Sequence, residues 1–187
     1  MVFTVIDIET TGLSKYQHKI TEIAAARMRN GKIIERYQTL INPQERIPSF
    51  ITRMTGITNE MVKDAPTIKQ ELPNFIEFLN DDVFVAHNAT FDFGFFDHNM
   101  QSLYKRALLN QSLCTRKLAN RLYPELQSKK LGAICEHLNI VNSQAHRAMG
   151  DVVATTEVFR LMLDKLNSKG INRTEDILKF ERSPIRR

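Results

Sequence analysis

The chain has 187 residues, 42% of them hydrophobic and 25% charged, which is enough for one domain with a hydrophobic core. No apolar run approaches the roughly 20 residues that span a bilayer, and no basic segment followed by an apolar core indicates a secretory signal. Cys114 and Cys135 are too few and too far apart for a disulfide framework or a zinc site, so we expect reduced thiols in a cytoplasmic protein. The net charge of +5 favours an anionic partner such as nucleic acid.

Two carboxylates follow a short apolar run at the start of the chain. Residues 2–6 are rich in β-branched and aromatic side chains, which favours a strand, and Asp7 and Glu9 come directly after them. Residues two apart on a strand point to the same face, so both carboxylates would lie side by side at its end. Adjacent carboxylates repel each other unless a cation such as Mg²⁺ lies between them. The alternative is a strand end whose acidic side chains simply face water.

The next segments predict an antiparallel meander followed by helices. Residues 20–28 and 32–41 have strand patterns, and Asn30-Gly31 between them is a strong hairpin signal. Residues 83–86 are apolar throughout, as expected for a buried fourth strand. Helices are predicted after Thr58, after Pro66 with Pro73 inside the pattern, and after residues 87–90. Further helices are predicted around residues 115–122, from residues 128–131 through 138, and from residues 146–151 onward.

Two further acidic residues lie near predicted helix starts. Asp92 falls in the first turn of a helix capped by Asn88 or Thr90, directly after the buried fourth strand. Asp151 lies about one turn into the last long helix, and His146 precedes that helix. Each could alone be a helix-start carboxylate or a surface histidine. Together with Asp7 and Glu9 they predict one site, because such points in an α/β sheet converge on one edge.

Four clustered carboxylates would need cations to coexist. Two Mg²⁺ or Mn²⁺ ions about 3.5–4 Å apart would neutralise them and hold a phosphodiester. One ion would polarise a water molecule, and the other would stabilise the leaving 3′ oxygen. His146 has the near-neutral intrinsic pKa of an imidazole and could accept the proton of the water.

Three sequence motifs carry a resemblance to a known family. Residues 7–12 (Asp-Ile-Glu-Thr-Thr-Gly), 87–92 (His-Asn-Ala-Thr-Phe-Asp) and 146–151 (His-Arg-Ala-Met-Gly-Asp) occur in the family's order and spacing within residues 3–165. The chain resembles the DEDDh 3′→5′ exonucleases of the DnaQ family, which includes the ε subunit of bacterial DNA polymerase III and the PolC exonuclease domain. The histidine before the last aspartate corresponds to the h-type subgroup.

The resemblance implies an α/β, RNase H-like fold with a mixed five-stranded sheet, three antiparallel strands followed by parallel ones, and helices on both faces. It implies two divalent ions, Mg²⁺ or Mn²⁺, with His146 as general base. The implied metal ligands are Asp7, Glu9, Asp92 and Asp151. The implied contacts to the terminal and penultimate nucleotides are Thr10, Thr11, Leu13, His87, Asn88 and Phe91.

The domain organisation predicted from the sequence is an exonuclease domain over residues 1–167 and a basic tail over residues 168–187. The tail carries six basic and three acidic residues. It is interpreted either as a solvated, partly disordered terminus or as an arm that contacts phosphates.

Three functions are compatible with the motifs. The first is a DNA 3′→5′ exonuclease that acts on single-stranded or frayed ends and releases nucleoside 5′-monophosphates. The second is an RNA 3′ exonuclease of the RNase T or oligoribonuclease kind, which would differ by a contact to the 2′-OH. The third is a nucleic-acid- or polymerase-binding module with a silent site, against which the intact carboxylates and His146 argue. Attachment to a DNA polymerase is left open, and no membrane partner is expected.

Overall fold

A five-stranded mixed sheet with helices on both faces forms the domain. The computed structural model describes residues 2–142 and 147–184. The strands are β1 (Val2–Thr10), β2 (Ile20–Arg29), β3 (Lys32–Leu40), β4 (Val83–Ala86) and β5 (Ser112–Cys114). The helices are α1 (Ser49–Thr55), α2 (Asn59–Val62), α3 (Ile68–Leu79), α4 (Thr90–Tyr104), α5 (Thr115–Leu122), α6 (Leu131–His137), α7 (Ala148–Asn167) and α8 (Thr174–Arg182).

The sheet has the strand order β3-β2-β1-β4-β5, so β1 lies in its middle. Strands β1, β2 and β3 pair antiparallel, whereas β4 pairs parallel to β1 and β5 pairs parallel to β4. The β2–β3 turn uses Asn30 and Gly31, both at positive φ, which is the conformation of a two-residue hairpin turn. The predicted fold class is confirmed.

The pairing of β1 with β2 contains one irregularity close to the carboxylates. Glu9 lies opposite Glu22, but Thr10 lies opposite Ile20, so Thr21 is an extra residue on β2. Such a β-bulge bends the strand and interrupts the regular ladder.

Strand alternation determines which face of the sheet carries the acidic side chains. Phe3 and Val5 belong to the core on the side of α5, α6 and α7, and the Phe3 and Phe159 rings meet edge to face at 5.0 Å. Ile6 and Ile8 belong to the core on the side of α3 and α4. Because Asp7 and Glu9 continue the alternation of Phe3 and Val5, they share the face that packs on α7.

Several helix starts differ from the sequence-based predictions. The cap predicted at Asn88 or Thr90 is wrong, because Ala89 is the N-cap of α4. Asn88 instead adopts a positive φ of 77°, and its carbonyl accepts a hydrogen bond from the Phe91 N–H at 2.9 Å. Pro73 neither breaks nor delays α3, which begins five residues before it.

Helix α8 lies in the segment that was interpreted as a solvated terminus or a phosphate-contacting arm. Ile177 and Leu178 are buried in the core together with residues of α5 and α7. The expectation of a partly disordered terminus is therefore wrong for residues 174–182. Charged residues surround the short apolar face of α8 and conceal its amphipathic pattern in the sequence. Among the described residues, no helix combines the length and the apolar character that crossing a bilayer requires.

Candidate active site

Three acidic side chains from two elements meet at the end of β1. Asp7 and Glu9 come from β1, and Asp151 comes from the first turn of α7. Their carboxylate oxygens lie within 4.8 Å of one another. Helix α7 packs on the face of the sheet that carries Asp7 and Glu9, which brings Asp151 to them across 142 residues of chain.

Asp92 approaches the same place from the first turn of α4. Its side chain is 3% exposed, and its Oδ1 accepts a hydrogen bond from the Ile8 N–H at 3.3 Å. The Ile8 amide lies between the two β1 carboxylates, so this bond fixes Asp92 beside them. The structure thus brings together all four carboxylates that the motifs predicted.

Burial and neighbouring negative charges disfavour the ionised forms of these carboxyl groups. Burial, followed by the charges of Asp151 and Glu22, raises the pKa of Glu9 to about 8. Burial also raises the pKa of Asp92 to about 8, although hydrogen bonds from the backbone amides of Asp92 and Ile8 lower it. The pKa of Asp7 lies well above its usual range, first through burial and then through the charges of Asp92 and Glu9. These are the properties of a site that a divalent cation would stabilise.

Glu22 is a fifth acidic residue that the sequence analysis missed. It lies opposite Glu9 on β2 and is 1% exposed. Its Oε1 accepts a hydrogen bond from Arg147 Nη2 at 3.0 Å, and its Oε2 accepts one from the Ala148 N–H at 3.3 Å. Arg147 Nε donates to Oε2 at 3.3 Å, and Gln38 Nε2 donates to Oε1 at 2.9 Å. Glu22 therefore anchors the start of α7, the helix that carries Asp151.

His146 lies outside the described residues, as do residues 143–145. The described residues on either side of this segment are held beside the acidic cluster. Asn142 Nδ2 donates a hydrogen bond to Asp151 Oδ1 at 2.8 Å, and Arg147 is bound to Glu22. The role of His146 as general base stays a prediction.

A pocket of about 290 Å³ at the start of α4 contains three of the predicted substrate contacts. Leu13, Asn88 and Phe91 line it, together with Lys15 and Phe95. Leu13 is 85% exposed. An exposed apolar side chain at the rim of a groove provides a surface against which a nucleobase can pack.

The other three predicted substrate contacts use their polar atoms inside the protein. Thr10 Oγ1 donates to the Gly12 carbonyl at 2.7 Å, and Thr11 Oγ1 donates to Glu45 at 2.6 Å. The Nδ1 and Nε2 of His87 bind Thr115 Oγ1 and the Lys129 carbonyl, both at 2.9 Å. Since a carbonyl only accepts, Nε2 carries the proton and Nδ1 accepts from the threonine hydroxyl. Burial lowers the pKa of His87 to about 4, so this neutral form persists at neutral pH.

We predict that the metal-free protein loses stability as the pH rises from about 4.5 to about 8. The carboxyl groups of Glu9 and Asp92 bind protons more tightly in the folded protein than in the unfolded chain. The stability that this proton binding contributes is fully present below the unfolded pKa and is lost as the pH rises through the folded pKa. Urea unfolding in EDTA at about pH 5 and about pH 8 measures this. Added Mg²⁺ should restore stability mainly at the higher pH, and Glu9→Gln should flatten the dependence. A stability in EDTA that increases with pH would contradict the prediction.

We predict that Glu22→Ala lowers the free energy of unfolding by about 2 kcal/mol, because it removes the buried acceptor of Arg147 and Ala148. Glu22→Gln keeps the shape and one acceptor oxygen and should cost less. The matched control is Glu157→Ala, which breaks an exposed pair with Arg160 on α7 and should change stability by within about 0.5 kcal/mol. Equal losses from Glu22→Ala and Glu157→Ala would show that Glu22 does not anchor α7.

Known proteins similar to this chain in sequence and those similar to it in structure both include exonucleases. A family model described as exonuclease matches residues 4–159. The PolC-type DNA polymerase III of Caldanaerobacter subterraneus subsp. tengcongensis is 43% identical over 175 residues, which are 94% of this chain and 12% of the polymerase. The chain therefore spans about an eighth of the length of this curated relative.

Two solved structures share the fold over most of the chain. Exonuclease X, solved in complex with 5′ overhanging duplex DNA, is 27% identical with a TM-score of 0.76, and the match covers 96% of this chain and 99% of that chain. The nuclease domain of 3′hExo, a DEDDh family member bound to rAMP, is 19% identical with a TM-score of 0.76, over 88% of this chain and 92% of that chain. Its likeness shows the fold. The chain belongs to the exonuclease family, as its three motifs predicted.

Proposed function

We propose that this chain is a metal-dependent 3′→5′ exonuclease that acts on single-stranded or frayed DNA ends and releases nucleoside 5′-monophosphates. The observation that carries the proposal is the approach of Asp7, Glu9 and Asp151 to within 4.8 Å, with Asp92 bound to the Ile8 amide between them. Such a concentration of buried carboxylates does not stabilise the fold at neutral pH, since burial and then the charges of Asp92 and Asp151 raise the pKa values of Asp7 and Glu9.

The donor set fits hard divalent cations. All four side chains offer carboxylate oxygens, which Mg²⁺ and Mn²⁺ prefer. The pKa values of Glu9 and Asp92 are raised, so a bound cation would stabilise their ionised forms. We propose that Asp7, Glu9, Asp92 and Asp151 hold two such ions. When bound, the ions supply positive charge that activates a water nucleophile and stabilises the leaving oxygen of the phosphodiester.

The remaining roles belong to side chains around the carboxylates. Leu13, Asn88 and Phe91 line the pocket that would hold the terminal nucleotides. Thr10, Thr11 and His87 hold the surrounding backbone through the hydrogen bonds described above. His146 would accept the proton of the attacking water, because a neutral imidazole is a competent base near pH 7.

DNA is proposed as the substrate because the relative with 43% identity is a DNA polymerase and Exonuclease X was solved with DNA. For the same reason we propose that the chain works with a DNA polymerase in proofreading, in the bacterial cytoplasm. RNA hydrolysis would use the same carboxylates, and only a contact to the 2′-OH would separate the two activities.

The direct test is degradation of matched 5′-labelled single-stranded DNA and RNA with Mg²⁺, with Mn²⁺ and with EDTA. We expect a metal-dependent ladder that shortens from the 3′ end of DNA. Asp7→Ala should abolish it while the protein stays folded, because Asp7 contributes to the cation site and not to the core. Faster degradation of RNA would reassign the substrate. Tight binding without cleavage of either strand would indicate a silent module.

We predict that His146→Ala lowers kcat about 100-fold or more and changes KM little, because a general base acts in the transition state. The wild-type rate should rise with pH through the neutral range, and this dependence should be lost in the variant. His137→Ala serves as a control at an exposed histidine outside the motifs. A variant with wild-type turnover and an unchanged pH profile would exclude His146 as the base.

A further inference from the structure

One face of α4 continues the nucleotide pocket away from the carboxylates. Phe91, Phe95 and His98 are four and three residues apart, so they lie along the same side of the helix. Phe91 and Phe95 line the pocket beside Leu13. His98 therefore lies one turn farther along the same face, on the side away from Asp92.

Tyr16 packs against His98 at this place. The two rings meet edge to face, with centroids 5.2 Å apart and an interplanar angle of 80°. Tyr16 is nevertheless 72% exposed. Lys15 Nζ lies 5.3 Å from the centroid of the Tyr16 ring, and Lys15 also lines the pocket. The protein thus presents an aromatic ring to solvent, next to a cation and next to the nucleotide pocket.

The turn that carries Tyr16 is held in a fixed conformation. The Gln17 and His18 N–H groups donate to the Ser14 carbonyl at 3.1 and 2.8 Å, and the Ser14 N–H donates to His18 Nδ1 at 3.1 Å. His18 lies so close to Gly12 that an added Cβ would be 2.4 Å from its Cδ2. These hydrogen bonds fix the backbone that carries Tyr16, and the contact with His98 supports its ring, so less conformational freedom is lost when a ligand binds.

We propose that Tyr16, supported by His98 and flanked by Lys15, is a stacking platform for a base of single-stranded DNA upstream of the 3′-terminal nucleotides. Aromatic faces bind successive bases of a single strand without sequence preference, and adjacent cations bind the backbone phosphates. This inference rests on the proposed function, because it takes the direction of the strand from the carboxylate site. It extends that function from the reacting end to the path of the strand.

A platform outside the pocket makes affinity depend on the length of the strand, since Tyr16 is not among the residues that line the pocket. We expect a dinucleotide to occupy the pocket lined by Leu13 and Phe91 without stacking on Tyr16, and a longer strand to cross Tyr16. Stacking uses the face of the base and not the sugar, so the contribution of Tyr16 should be the same for strands of different base sequence.

The test measures binding of 5′-fluorescein-labelled oligothymidine by fluorescence anisotropy in EDTA, in an Asp7→Asn background that prevents cleavage. We expect Tyr16→Ala to raise the Kd of a long oligothymidine about tenfold and to leave the Kd of the dinucleotide within about twofold. Tyr16→Phe should retain the affinity of the parent. Lys15→Gln should reduce the salt dependence of binding by about 0.7 in the logarithmic slope.

The matched control is Tyr104→Ala, which removes a tyrosine from another face of α4, where its hydroxyl binds the Lys69 carbonyl. Affinity for the long strand should not change in this variant. Equal affinity of Tyr16→Ala and its parent for the long strand would overturn the platform, and so would an equal loss on the dinucleotide. Cleavage is measured separately with Asp7 intact, so absence of exonuclease activity would refute the proposed function without affecting this result.

Discussion

Repulsion among carboxylates at the end of β1 is the constraint on which the site depends. Asp7 and Glu9 are fixed on one face by strand alternation, and Asp151 is added by α7. Among the described residues, the Ile8 amide donates to Asp92, the Asn142 side chain donates to Asp151, and the charge of Arg147 lowers the pKa of Glu9, which nevertheless stays raised. The core on both faces of β1 must therefore supply the free energy that holds these groups together.

Glu22 connects that constraint to the architecture of the sheet. It increases the negative charge near Glu9, yet it is fully engaged with Arg147, Gln38 and the first amide of α7. A buried ion pair contributes little net stability, because desolvation offsets much of the attraction. The pair of Glu22 with Arg147 instead fixes the position of the first residue of α7 relative to β2, and this determines the position of Asp151.

Local sequence signals predicted the strands of the meander, the fourth strand and the three motifs, because each depends on a few neighbouring residues. The pairing of Glu22 with Arg147 could not be predicted this way, since 125 residues separate them. Strand β5 has only three residues, too few for a periodic pattern. The internal hydrogen bonds of Thr10 and Thr11 were equally inaccessible, because a threonine beside a catalytic motif has the same sequence signature whether it binds substrate or backbone.

The bulge at Thr21 lies between the regular pairing of β1 with β2 and the loop over residues 11–19 that joins the two strands. In a regular ladder, insertion or deletion of one residue would turn the following side chains to the opposite face. Here the extra residue absorbs such a change between the last paired carboxylate position and the loop. Loop length can therefore vary during evolution or engineering while Asp7 and Glu9 keep their orientation. The domain can change how it holds a strand without rebuilding its catalytic centre.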